Sequence, residues 1–116
     1  MSADWPVALA EGWHPVALLE ELRPAKPLAR SLLGVPLVLF RGKNRPAILR
    51  DVCPHRNVPL SPGQVQDGVL TCPYHGWRFG EDGLCLGAAG SSVIPAASAR
   101  PFPTVVRDGL LWTCLA

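Results

Sequence analysis

Two short loops constrain this chain more than any other feature. The first reads Cys53-Pro54-His55-Arg56 and the second Cys72-Pro73-Tyr74-His75-Gly76-Trp77. Each presents one thiol and one imidazole, as Cys-x-His and then Cys-x-x-His, with the 16 residues 56–71 between the two ligand sets. A fold that uses all four must bring the loops side by side. Thiolate and imidazole together select zinc, copper or iron–sulfur. The order discriminates among these. Zinc modules of the Cys2His2 kind place both cysteines before both histidines, whereas here each loop carries one of each. That alternation fits a 2Fe–2S centre in which Cys53 and Cys72 bind one iron and His55 and His75 the other.

The rest of the chain sets the scale of the fold around those loops. Its 116 residues suffice for one domain with a modest core. Proline (13) and glycine (11) together approach a fifth of the sequence, which favours many turns and short strands. Eleven basic and nine acidic residues are spread without a run, so neither nucleic acid nor an anionic membrane is indicated as a partner. Residues 1–12 have no basic start followed by an apolar run, and Leu32 to Phe40 is too short to span a bilayer. Two of the four cysteines are better explained as ligands than as disulfides. A cytoplasmic, reducing location is therefore expected.

Segments of five to seven residues punctuated by turns predict an all-β fold of small antiparallel sheets. Residues 1–12 read as a lead-in and 13–116 as a single domain, with the cluster-binding part at about 52–86. Trp13 to Leu18 is an edge strand because of Pro15, and Leu19 to Leu22 a helical turn stopped by Pro24. Leu28–Leu33 and Leu37–Arg41 are strands joined at Gly34-Val35-Pro36, and Pro46 to Val52 is a strand that delivers Cys53. Turns at Ser61-Pro62-Gly63 and Asp67-Gly68 precede the strand Val69-Leu70-Thr71, which delivers Cys72. Both ligand loops are thus expected at strand ends, as hairpin tips. A hairpin around Glu81-Asp82-Gly83 follows, then an irregular Gly87 to Ala99, then a closing hairpin turning at Asp108-Gly109.

Charge counting says what four such ligands would do. Two ferric ions and two bridging sulfides leave two positive charges, which two thiolates cancel; neutral imidazoles add none. Reducing a neutral centre is easier than reducing the dianion that four thiolates would leave. The electron should settle on the iron held by His55 and His75. Reduction should also make each imidazole hold its outer proton more tightly, so the potential should depend mildly on pH. Pro54 and Pro73 stiffen the backbone after each cysteine. Gly76 permits close backbone approach to a sulfide.

The pattern from Cys53-Pro54-His55-Arg56 to Cys72-Pro73-Tyr74-His75-Gly76-Trp77-Arg78-Phe79 resembles that of Rieske 2Fe–2S domains. It is most similar to the N-terminal Rieske domain of aromatic ring-hydroxylating and demethylating oxygenases, the phenylpropionate dioxygenase-like group. The resemblance extends over Trp13-His14-Pro15-Val16, Leu33 to Arg41, Pro59-Leu60-Ser61, Gly83-Leu84-Cys85 and Asp108 to Trp112. It implies one 2Fe–2S cluster on Cys53, His55, Cys72 and His75, and an all-β, three-sheet Rieske-type (ISP domain) fold with a two-loop cluster-binding subdomain. Respiratory and photosynthetic Rieske proteins carry an extra cysteine in each loop, joined as a disulfide; here Val58 and Tyr74 stand at those positions. They also place a serine where this chain has Trp77. The potential is therefore expected toward the lower end of the Rieske range of about −150 to +300 mV.

Ring-hydroxylating oxygenases also bind a mononuclear iron through two histidines and a carboxylate in a following domain. The chain has three histidines in all, so only His14 remains once His55 and His75 are assigned, and the sequence stops where such a domain would begin. The polypeptide alone is expected not to hydroxylate anything. It reads as a soluble Rieske-type protein carrying single electrons to or within an oxygenase system, with a reductase and an oxygenase component as redox partners. The alternatives are the separate or truncated Rieske part of a ring-hydroxylating oxygenase and, in a different class, a structural zinc module. Cys85 and Cys114 read as packing residues, His14 as an edge-strand residue and Trp77 as packing beneath the second loop. Arg56 and Arg78 read as solvated charges or as groups that steer an acidic partner.

Overall fold

In the computed structural model, residues 12–55, 57–74, 76–88 and 98–115 are described. Among them are ten strands and no α-helix. The strands are β1 (Trp13–Leu18), β2 (Leu28–Leu32), β3 (Val35–Arg41), β4 (Pro46–Arg50), β5 (Gln64–Gln66), β6 (Val69–Thr71), β7 (Trp77–Phe79), β8 (Cys85–Ala88), β9 (Thr104–Arg107) and β10 (Leu110–Cys114). They form three antiparallel sheets of order β1-β10-β9, β2-β3-β4 and β5-β6-β7-β8. A 3-10 turn at Leu19–Glu21 follows β1, where one helical turn is expected from the sequence. No helix is long and apolar enough to cross a membrane among the described residues.

Turn chemistry explains the local pairing. Three hairpins close through two residues that both have positive φ: Leu33-Gly34 (50° and 83°), Asp67-Gly68 (52° and 76°) and Asp108-Gly109 (56° and 74°). Paired positive φ values belong to the tight turns whose twist matches the flanking strands. The first of these is tighter than the sequence suggests, since Val35 and Pro36 belong to β3. Pro36 is tolerated there because it lies beyond the last β3–β4 pair, Leu37 with Arg50. Pro15 sits in an edge strand beside a bulge between Pro15 and Ala17, as an imino acid requires.

The β2-β3-β4 sheet is the middle layer, and the alternation of side chains across it separates two cores. Val38, Phe40, Ala47 and Leu49 face the core that also holds Cys53, Leu60, Leu70, Cys72 and Phe79. Leu37, Leu39 and Ile48 face the other way, against Ala17, Leu22, Phe102 and Leu111. All four residues from Leu37 to Phe40 are completely buried. A strand covered on both faces reads as an unbroken apolar run. The segment leading to β9 laces this layer to its neighbours: Arg50 N–H donates to the Arg100 carbonyl (2.8 Å), Phe102 N–H to Ile48 (2.9 Å) and Ala99 N–H to Gly83 (2.9 Å).

Two expectations need correction. Strand β5, Gln64-Val65-Gln66, is not foreseen from the sequence, because one valine between glutamines carries no periodicity. The first ligand loop is not a hairpin tip: it passes from β4 in the middle sheet to β5 in the four-stranded sheet. Only the second loop joins neighbouring strands, β6 and β7. Most of the expected irregular segment, residues 89–97, lies outside the described residues, while Gly87 and Ala88 belong to β8.

Candidate metal centre

Both cysteines are delivered one to three residues past a strand end, into equivalent backbone rings. In the first loop, Cys53 N–H donates to the Val58 carbonyl (2.7 Å) and Asn57 N–H to the Cys53 carbonyl (2.8 Å). In the second, Cys72 N–H donates to Trp77 (2.7 Å) and Gly76 N–H to Cys72 (3.2 Å). Each ring therefore closes through the fourth and fifth residues after its cysteine. The fourth is left-handed in both: Asn57 has φ 55° and Gly76 φ 73°. Asparagine and glycine are the residues that adopt this conformation most readily. The sequence alone does not single out Asn57; the repeated ring is what marks its position.

The thiols lie under these rings. Cys53 is fully buried and Cys72 is 2% exposed, and both belong to the core beneath the loops. Nδ1 of His55 lies 3.8 Å from Cys53 Sγ, so this nitrogen faces the thiol side. The other nitrogen, Nε2, is buried with no hydrogen-bond partner. The His55 ring stacks on Trp77 at 4.4 Å between centroids and 16° between planes, and tilts against Phe79 at 6.3 Å and 41°. Trp77 thus packs beneath the second loop as expected, and it also reaches the histidine of the first. No disulfide joins the loops: Val58 is half-buried against the core and Tyr74 points outward, 60% exposed.

His75 and Arg56 lie outside the described residues. Cys53, His55 and Cys72 are brought to one end of the four-stranded sheet and share its core. Among the described residues no three His, Cys, Asp or Glu side chains converge as a mononuclear metal site would need. A 2Fe–2S cluster asks less of the protein at each metal, since sulfides bridge the irons and two protein ligands per iron remain. Two buried thiols and an imidazole with one nitrogen toward the Cys53 thiol fit that group. Cys85 packs in the same core, Cys114 is buried in β10, and His14 is half-buried on the edge strand β1. Arg78 is exposed, with its guanidinium 3.5 Å from the Leu86 carbonyl.

A family profile for the Rieske [2Fe-2S] domain matches residues 12–98. This chain belongs to the Rieske [2Fe-2S] domain family. The domain binds one 2Fe–2S cluster. The chain is 46% identical over 103 residues to the oxygenase component of dicamba O-demethylase from Stenotrophomonas maltophilia, covering 86% of this chain and 30% of that protein. It is 43% identical over 112 residues to chloroplastic pheophorbide a oxygenase from Arabidopsis thaliana, covering 86% and 21% respectively. The crystal structure of apo dicamba monooxygenase superposes with a TM-score of 0.86 at 41% identity, over 93% of this chain and 34% of that one. NdmA of Pseudomonas putida CBB5 gives 0.84 at 35% identity, over 93% and 35%. The chain therefore spans about a third or less of the length of these relatives. The Rieske fold that the resemblance implied is the fold observed, and the homologous regions are the Rieske domains of oxygenase components.

Proposed function

We propose that this chain carries single electrons within an oxygenase system, with Cys53 and Cys72 holding one iron of the cluster and His55 and His75 the other. The observation that carries the reading is the pair of matching backbone rings, each opening on a buried cysteine, with the His55 ring turned toward Cys53. Bound there, the cluster supplies a one-electron couple. The chain's own residues do the rest. The thiols of Cys53 and Cys72 sit in apolar surroundings that exclude water. With Nδ1 of His55 given to iron, Nε2 keeps the ring's proton, and Trp77 fixes the plane of the imidazole. Gly76 and Asn57 hold the loop backbones in the left-handed turn that aims each cysteine inward.

A reductase as electron source and an oxygenase component as acceptor are the partners this reading implies. Similarity to oxygenase components favours work alongside a catalytic iron domain over free-standing carriage. The test is to purify the protein anaerobically and to assay iron, acid-labile sulfide and zinc with the visible and paramagnetic resonance spectra. Two irons and two sulfides per chain, with a one-electron signal on reduction, are expected. Stoichiometric zinc without sulfide overturns the redox reading. Substrate turnover on adding the protein to a reductase and a separate catalytic chain would then distinguish delivery within an oxygenase from other carriage.

A further inference from the structure

Asp51 is the one charged side chain buried among the described residues, at 8% exposed. None of the roles above uses it. It follows β4, and its backbone N–H donates to the Pro36 carbonyl in β3 (2.9 Å). Its carboxylate oxygen Oδ1 accepts from the N–H groups of both Leu60 (2.6 Å) and Ser61 (2.7 Å). Those bonds staple the two ends of the 51–61 segment together, with Cys53 and His55 inside the staple. Leu60, fully buried, anchors the far end in the core that holds Cys53 and Cys72.

Burying a carboxylate is costly, and charge-assisted bonds to two amides offset part of that cost. A neutral acceptor would hold the same amides with less desolvation, so the charge calls for a further consequence. A fixed negative charge in a poorly polarisable interior opposes the arrival of an electron nearby. Asp51 stands two residues from Cys53.

We propose that Asp51 is a positioning residue for the cluster: its carboxylate clamps the first ligand loop, and its charge holds the midpoint potential down. This rests on the cluster reading above. The test uses the cluster-loaded protein and three variants: Asp51→Asn, which keeps an acceptor but removes the charge, Asp51→Ala, which removes both, and Asp67→Asn as an exposed-charge control. Asp51→Asn is expected to retain two irons and two sulfides with a midpoint potential above those of wild type and the control. Asp51→Ala is expected to lose iron to a chelator roughly tenfold or more faster than wild type, since the buried Leu60 amide and the half-buried Ser61 amide are left unpaired. A wild-type potential in Asp51→Asn, or a wild-type rate of iron loss in Asp51→Ala, overturns the proposal. If Asp51→Ala does not accumulate as folded protein, the potential of Asp51→Asn decides alone. A wild-type chain that takes up no cluster defeats the cluster reading instead. Amide exchange at Leu60 and Ser61, faster in Asp51→Ala than in wild type, then supports the clamp, and equal exchange overturns it.

Discussion

At the residue scale, the contact between the two loops is Trp77 on His55. At the two positions where respiratory and photosynthetic Rieske proteins carry the cysteines of an inter-loop disulfide, this chain has Val58 and Tyr74, and an indole laid on an imidazole links the same two segments. Such ring pairs contribute about 0.5–1.5 kcal/mol beyond the area they bury. Trp77→Ala is expected to lower the melting temperature and to hasten bleaching of the cluster absorbance, with Trp77→Phe in between. Equal bleaching in all three proteins would show that the stack does not tie the loops. Gly76 is held by a different constraint. A β-carbon added there meets no atom within 4 Å beyond its chain neighbours, so crowding by the described protein atoms is not what demands glycine. Its φ of 73° is. Gly76→Ala should cost roughly 1–2 kcal/mol in denaturant unfolding, and a Gly76→Asn variant should recover part of that loss.

At the scale of elements, the turn between β7 and β8 is clasped by the turn between β3 and β4. Glu81 accepts from the backbone N–H groups of Asn44 and Arg45 (both 3.1 Å) and from the Asn44 amide (3.1 Å). Gly42 leaves room for it, since a β-carbon there would lie 2.3 Å from the Glu81 carboxylate. Gly68, in the β5–β6 turn, packs as closely on the backbone of Lys43. One short turn thus fastens two hairpins of the four-stranded sheet to the middle layer. Desolvation raises the Glu81 pKa, but the bonds from Asn44 and Arg45 and the Arg45 charge outweigh it, and the net shift is downward. A lowered folded-state pKa stabilises the fold above the ordinary carboxylate range of about 4.3, and that stability is lost as the pH falls through the folded value. Glu81→Gln is therefore expected to be less stable than wild type at neutral pH by no more than about 0.5–1 kcal/mol, because the three bonds are open to solvent, with the gap closing in acid. A gap that stays constant down to pH about 3 would refute the clasp's dependence on charge.

At the scale of the whole molecule, the middle sheet carries two cores, and only one of them supports the ligand loops. Phe40 and Leu37 are both completely buried, on opposite faces of β3. Truncating either to alanine should destabilise by roughly 2–5 kcal/mol. Phe40→Ala should also accelerate cluster loss under native conditions, whereas Leu37→Ala should not, as read by chelator competition well below the melting temperature. Comparable acceleration in both would mean that the two cores respond as one. The ligand loops, the tight turns at Asp67-Gly68 and Asp108-Gly109 and the edge position of Pro15 were all legible in the residues, because each follows from local chemistry: ligand type, backbone conformation, a missing donor. Strand β5 was not, because three residues with one valine acquire their conformation only by pairing with β6. Nor was the first loop's passage between sheets, which is set by where Leu60 is buried and which amides Asp51 reaches. The sequence by itself carried the resemblance that points to the family, and its soft ligands in that order narrowed the kind of cofactor. Only the tertiary structure decided that Trp77 covers His55, that Glu81 joins two layers and that a buried carboxylate closes the first loop, because contacts between segments distant along the chain leave no periodic or motif signal in it.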